Sequence, residues 1–496
     1  MTLLIKSVRI LDANQNLPEL ADVFISGEKI SAIGSFPNKK ADEIIDGQGA
    51  YLAPGFIDVY TESDHTLDLL RHPSQEDFLR QGVTTIIGGQ GGISLAPLLY
   101  GSLESTEERT DDRSVNIHWH TLKEMTDIMS KKKLGVNFAT LIGHTTLRRA
   151  IVGEELRPLT KNELMVFERL LSRTLKEGGF GLSTDLNSAY GKPATNREIK
   201  SLVGIVEKYN GVYAGYAKKK AHPKLSDSVE EIIKTTGEIG AKTLLNDFGP
   251  VKGAEEEYEN ALDKIENLPS SYDFRFTISP NEASLTPLYR FLPEWAENGG
   301  FDVMNKNLKD EWLQKRILEE LPAVNPIDFI IARTIEVDSI AGRSLKNFME
   351  FYGIRDAKKA LLKLMMTTKL RALVLYRDID WELAKKAIKH PASFIASREW
   401  SPRFRAAATP PAFPRFLSLV ANENLIPLDV AIRKITTEPA KFFGIKDRGE
   451  IKEGYFADLT GFKGEEIKFT VVNGRVAVKE GIFQNILAGK PLKHGS

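Results

Sequence analysis

Two carboxylates and an imidazole stand close together in Thr61-Glu62-Ser63-Asp64-His65. Glu62, Asp64 and His65 offer the oxygen and nitrogen donors of a relocated metal site, set against the plainer reading of a solvated loop. His118-Trp119-His120 has an H-x-H spacing but precedes the third candidate strand, which points to packing or surface. His144 is expected to fix a backbone loop by hydrogen bonding. Ser130-Lys131-Lys132-Lys133 matches a Ser-x-x-Lys nucleophile pattern without its companion motifs, so a basic solvated turn is the better reading. The loop Gly88-Gly89-Gln90-Gly91-Gly92 presents N–H groups to an anion, yet lacks the P-loop lysine and the dinucleotide-binding spacing. Lys218-Lys219-Lys220 would draw anions to whatever mouth it borders. The chain has no cysteine, which excludes disulfides, thiolate zinc, iron–sulfur clusters and cysteine nucleophiles.

Such residues need a frame to hold them. Short strands are predicted over 3–11, 23–26 and 30–33, the last two flanking Gly27-Glu28-Lys29 as a hairpin. A similar set returns over 458–462, 469–472 and 475–478, with Asn473-Gly474 as the turn. These β-rich ends predict one small domain built from both termini. Between them, apolar runs at 56–60, 83–87, 136–142, 180–183, 212–216, 243–245, 274–279 and 394–397 alternate with charged helical stretches such as 161–177 and 227–239. Eight strands alternating with helices predict a (β/α)8 barrel, an α/β fold of the TIM type. The seventh and eighth strands are too far apart for a simple crossover, and helical stretches at 310–320, 344–352 and 355–368 predict a helical insertion before strand 8. The expected division is 1–53 and 426–496 for the small domain with a C-terminal helix, and 54–425 for the barrel, with 280–390 inserted.

At about 150 residues per domain, 496 residues suit roughly three domains or one large one. Lysine plus arginine total 67 and aspartate plus glutamate 67, so no net field attracts nucleic acid. Hydrophobic residues at 42% with charged residues at 27% are globular usage, which argues against a disordered scaffold. No apolar run reaches the roughly 18 residues of a membrane span, and Lys6 and Arg9 interrupt the N-terminal run too early for a signal peptide. A cytoplasmic protein without nucleic-acid or membrane partners is expected. The oligomeric state is not legible.

Specific strings carry a resemblance along most of the chain. Ala53-Pro54-Gly55-Phe56-Ile57-Asp58-Val59 resembles the barrel entry of amidohydrolase-superfamily enzymes. More narrowly, Gln81-Gly82-Val83-Thr84-Thr85, Ile142-Gly143-His144-Thr145-Thr146-Leu147-Arg148, Gly181-Leu182-Ser183-Thr184, Leu292-Pro293-Glu294-Trp295 and Arg448-Gly449-Glu450-Ile451 follow the order of the N-acyl-D-amino-acid deacylase (D-aminoacylase) family. That family holds zinc with a His-x-His pair after strand 1, a cysteine after strand 2 and histidines after strands 5 and 6; an aspartate follows strand 8. Here the corresponding positions are Tyr60 and Glu62, Gly91, Tyr216, Asn246 and Arg398. Asp247 beside Asn246 is a doubtful further donor.

The resemblance with these replacements implies that the zinc is lost, so no cofactor is expected. It leads to a non-hydrolytic relative that keeps the barrel for small-anion binding or assembly. The alternative is a hydrolase of non-peptide carbon–nitrogen bonds in N-acyl amino acids, acting through a rebuilt site. A small carboxylate or other anion is the expected partner at the barrel mouth. It would be held by Tyr190 and by Arg403 or Arg405, since a guanidinium suits a carboxylate. Glu62 and Arg398 are expected to form a salt bridge across the old centre.

Overall fold

A computed structural model of the chain describes residues 1–11, 19–99, 117–217, 225–297, 300–334, 336–397 and 411–495. Both ends of the chain meet in one nine-stranded sheet. Thr2–Ile10 pairs antiparallel with Ala21–Ser26 and parallel with Tyr51–Pro54; the latter pairs antiparallel with Leu459–Lys463, the first strand of the C-terminal meander. Alternation sets the faces. In Ala21–Ser26, Val23 and Ile25 enter a core with Leu3, Ile5, Leu52 and Phe469, while Asp22 and Phe24 lie on the other side.

The eight predicted runs of the middle are all strands, and all run parallel. Phe56–Asp58, Val83–Gly88 and Asn137–Thr140 make a three-stranded sheet. Ile142–Gly143, Gly181–Thr184, Val212–Gly215, Lys242–Leu245, Phe274–Ile278 and Ser393–Ile395 make a six-stranded one. Only Leu141 separates the two sheets along the chain. Most of these strands are buried at every position, because helices cover one face and strand side chains the other. The helices begin where capping chemistry allows. Lys161–Lys176 starts behind Thr160, whose hydroxyl accepts from Glu163 N–H at 3.3 Å while Glu163 accepts from Thr160 N–H at 2.7 Å.

The insertion holds the three expected helices and adds a sheet that was not expected. Ser284–Pro287, Ala372–Tyr376 and Phe329–Thr334 form an antiparallel sheet, packed on the helices Glu311–Glu320, Leu345–Tyr352 and Ala357–Thr367. Phe329, Phe348, Leu361 and Met365 fill its own core. Short apolar runs do not distinguish a strand from buried helix, and here the pairing partners lie far apart in sequence.

A polar joint fixes the end-to-end sheet against the parallel strands. Asp458 accepts from Arg448, from Asn137 Nδ2 at 2.9 Å and from Asn473 N–H at 2.7 Å, all buried. Among the described residues, no helix is long and apolar enough to cross a membrane.

Candidate active site

The C-terminal ends of the parallel strands gather several of the singled-out positions. Tyr60 and Glu62 follow Phe56–Asp58 and are 1% and 4% exposed. The Tyr60 hydroxyl donates to Glu62 Oε1 at 3.0 Å and is hydrogen-bonded to the hydroxyl of Tyr216, which follows Val212–Gly215. Gly91 makes room for this contact, since a Cβ there would stand 3.1 Å from the Tyr216 oxygen. Asn246, after Lys242–Leu245, donates from Nδ2 to Gln90 Oε1 at 2.8 Å, and Gln90 Nε2 donates to the Val59 carbonyl at 2.7 Å. The structure thus brings together five of the six predicted positions. Arg398, Arg403, Arg405 and Lys218-Lys219-Lys220 lie outside the described residues, and with Arg398 goes the salt bridge expected with Glu62.

The stretch 61–65 is not a solvated loop. Asp64 and His65 are fully buried. His65 Nε2 donates to the Ile93 carbonyl at 3.0 Å, and the ring nitrogens stand 3.9 Å from Glu62 Oε2 and 3.8 Å from Asp64 Oδ1. Burial pushes the Asp64 carboxyl up, against the opposing pull of His65. The segment turns inward because the glycine loop needs a partner there: Gly89 N–H donates to Asp64 Oδ2 at 2.7 Å. Gly92 N–H likewise donates to Ser183 Oγ at 3.0 Å. These two donors of the glycine loop serve the protein's own side chains, which removes them from the anion cradle considered for it.

The remaining histidines and the basic turn stand apart. His120 Nδ1 donates to the Leu98 carbonyl at 3.1 Å. His144 does not hold a loop backbone; it meets the Glu198 carboxylate at 2.8 Å, because a buried carboxylate recruits the nearest donors. Ser130 lies within the helix Leu122–Lys132 and donates to the Thr126 carbonyl at 2.7 Å, so it is a helix residue rather than part of a turn.

Sequence reasoning missed Asp58 and Ser397, at the ends of the first and last parallel strands. The Ser397 hydroxyl donates to Asp58, and Ser397 N–H reaches both carboxylate oxygens at 3.3 Å. Burial pushes Asp58 up to about 7, outweighing these donors. The native state therefore keeps a proton between pH 4 and 7 that the unfolded chain has released, so stability falls as pH rises through that window. Asp58→Asn is expected to remove this fall, of the order of a few kcal/mol, in urea unfolding measured from pH 4.5 to 8.

A cavity of about 80 Å³ lies between the segments that follow Val83–Gly88, Ile142–Gly143 and Gly181–Thr184 and the insertion. Gly91, Thr145, Asp185 and Tyr190 line it from one side, Arg290 and Phe301 from the other. Arg290 reaches Asp185 Oδ2 at 3.4 Å. Tyr190, predicted at the ligand, does line this cavity; its hydroxyl donates to Glu154 and its ring lies 4.5 Å beneath the Arg149 guanidinium.

Known proteins resemble the chain along its length. A model described as the Amidohydrolase family matches residues 356–477. D-aminoacylase of Alcaligenes xylosoxydans xylosoxydans is 25% identical over 475 residues, 93% of this chain and 87% of that one. A solved D-aminoacylase, studied for the role of its binuclear metal center, aligns over 99% of both chains at 23% identity with a TM-score of 0.79. N-acyl-D-glutamate deacylase from Bordetella bronchiseptica, solved with zinc and a phosphonate inhibitor, aligns over 99% of both chains at 21% identity and the same TM-score.

These relatives overturn the expectation that no cofactor is used and the zinc is lost. They are metal-containing proteins of the same fold, and residue types at six aligned positions do not decide metal binding, because donors converge in space from any part of a chain. Among the described residues, no group of three or more His, Cys, Asp or Glu is placed to hold a metal ion, so no step is derived through one. The chain is thus similar to D-aminoacylase and to the N-acyl-D-aspartate and N-acyl-D-glutamate deacylases along nearly its whole length, and to the Amidohydrolase family over residues 356–477.

Proposed function

We propose that the chain is a hydrolase of non-peptide carbon–nitrogen bonds, acting on N-acyl amino acids through side chains at the ends of a closed (β/α)8 barrel. The observation that carries this reading is the match to D-aminoacylase over 93% of this chain and 87% of that one. It takes the lead from the non-hydrolytic reading expected above, since that relative is named for a deacylation. The geometry supports it in two ways. Ser397 and Asp58 tie the last parallel strand to the first, as closure of a barrel requires. A buried carboxylate with two phenols also lies at the strand ends, where barrel enzymes place their chemistry, and Tyr216 of this group packs against Gly91, which lines a cavity.

The substrate class brings its own anion, the amino-acid carboxylate, which fits the small carboxylate expected at the mouth. The test is incubation with N-acetyl derivatives of D- and L-amino acids, with and without added zinc, read by amine-reactive fluorescence. Release of free amino acid in proportion to protein is expected. No release under either condition overturns the reading, and thermal stabilisation by the same compounds would then favour a binder.

A further inference from the structure

We propose that residues 489–494 are a pH-released strap, which closes the gap between Asn137–Thr140 and Gly181–Thr184 while His494 is neutral and lets go in mild acid, when it is charged. The inference is independent of the hydrolase reading, since it concerns the frame rather than the reaction.

The gap follows from where the two strands meet. Asn137–Thr140 pairs with Val83–Gly88 along one edge. On the other edge the next strand arrives late: Phe180 N–H donates to the Thr140 carbonyl at 3.0 Å, and regular pairing begins only at Ile142 with Leu182. Before that point the backbone of buried Phe138 needs partners from elsewhere. The strap supplies both. Phe138 N–H donates to the Lys490 carbonyl at 2.9 Å, and Leu492 N–H donates to the Phe138 carbonyl at 2.7 Å. Gly489 N–H donates to the Leu134 carbonyl at 2.7 Å, in an approach so close that a Cβ at 489 would stand 2.0 Å from the Val136 carbonyl oxygen. Leu492 packs against the cluster that holds Ala139, Phe180 and Phe394. His494 N–H then reaches the Gly178 carbonyl at 2.9 Å, just ahead of Gly181–Thr184.

Charge makes this closure conditional. The His494 ring is half-buried and meets Phe180 edge-on, with centroids 5.5 Å apart. Burial, and after it Lys242 and Lys446, hold its pKa below the ordinary imidazole value. Lys242 opens the strand Lys242–Leu245, and Lys446 follows the helix Thr437–Phe443 and donates to the Gly495 carbonyl. The segment before Gly178 offers Glu177, but Arg173 engages that carboxylate at 2.9 Å. The strap's own Lys493 is exposed. A proton on His494 therefore adds a further positive charge to a place already shared with Lys242 and Lys446. By linkage the strap holds at full strength above about pH 6.5 and weakens as pH falls toward the lower folded-state value. The strand it grips also leads to the candidate site: Leu141 N–H donates to the Gly88 carbonyl at 3.0 Å, so release loosens the glycine loop as well.

Hydrogen exchange of the full chain tests this, read by mass spectrometry at about pH 5 and about pH 7.5 with correction for intrinsic rates. At the lower pH the wild type is expected to lose protection about 10-fold or more in peptides covering 136–141 and 488–494, with Phe274–Ile278 unchanged. His494→Phe keeps a ring against Phe180 and takes no charge, so its protection is expected to be the same at both pH values. The His494 imidazole resonance of the wild type, titrated by NMR, is expected to move at the pH where protection is lost, and this comparison needs no variant to fold. Equal wild-type protection at both pH values overturns the proposal. So does a loss that persists in His494→Phe, or a loss whose midpoint does not coincide with the imidazole titration.

Discussion

Glu198→Ala is expected to lower the folding free energy by about 3–5 kcal/mol. Glu198 lies on the helix Asn196–Lys208 and is 1% exposed. Its carboxylate accepts from Arg148 Nη1 at 2.6 and 2.7 Å and meets His144 Nε2 at 2.8 Å. Burial alone would raise its pKa, but His144 and Arg148 together outweigh it and hold the carboxyl below its usual range. Alanine leaves a guanidinium that is 1% exposed without its carboxylate, and the desolvation already suffered is no longer offset. Urea unfolding gives the measurement. The double change Arg148→Met with Glu198→Leu should be less destabilised than Glu198→Ala, because no stranded charge remains. A single-variant loss under about 1 kcal/mol would mean that water reaches the pair.

Gly89→Ala is the second large effect, expected at about 2–5 kcal/mol from overpacking plus backbone strain. Gly89 has a φ of 70°, and an added Cβ would lie 2.1 Å from the Leu141 carbonyl oxygen and 2.6 Å from Thr140 Oγ1. The first is backbone of the segment that joins the two parallel sheets, so it has little freedom to retreat. The substitution would also disturb the Gly89 N–H bond to Asp64. Unfolding midpoints report the loss. Gly153→Ala, with φ at 64° and nothing within 4 Å of the new Cβ, isolates the strain alone and should cost less.

Much of the frame was legible because parallel strands covered on both faces leave continuous apolar runs, and each of the eight middle runs became a strand. The antiparallel sheet of the insertion was not, since Phe329–Thr334 looks like a piece of buried helix until its partner Ala372–Tyr376 is known. The site divides in the same way. Tyr60, Glu62, Gly91, Tyr216 and Asn246 could be placed at strand ends by resemblance. That two of them join their hydroxyls over Gly91 depends on how the parallel strand ends converge and on side-chain reach. Burial of Asp64 and His65 was hidden by their polarity, which in an isolated sequence reads as solvated. Asp58 with Ser397, and His144 with Glu198, pair across long separations that carry no local signal. Gln90 sat in a loop read for its glycines, although its side chain is what links Asn246 to Val59.

The most direct test of the central claim is hydrolysis in H2 18O, followed by mass spectrometry of the acid released from an N-acetyl amino acid by the wild-type chain. Attack of water on the amide carbonyl predicts free amino acid together with acetate that carries one 18O per turnover. Intact substrate after prolonged incubation with folded protein, or amine released with unlabelled acetate, would contradict it.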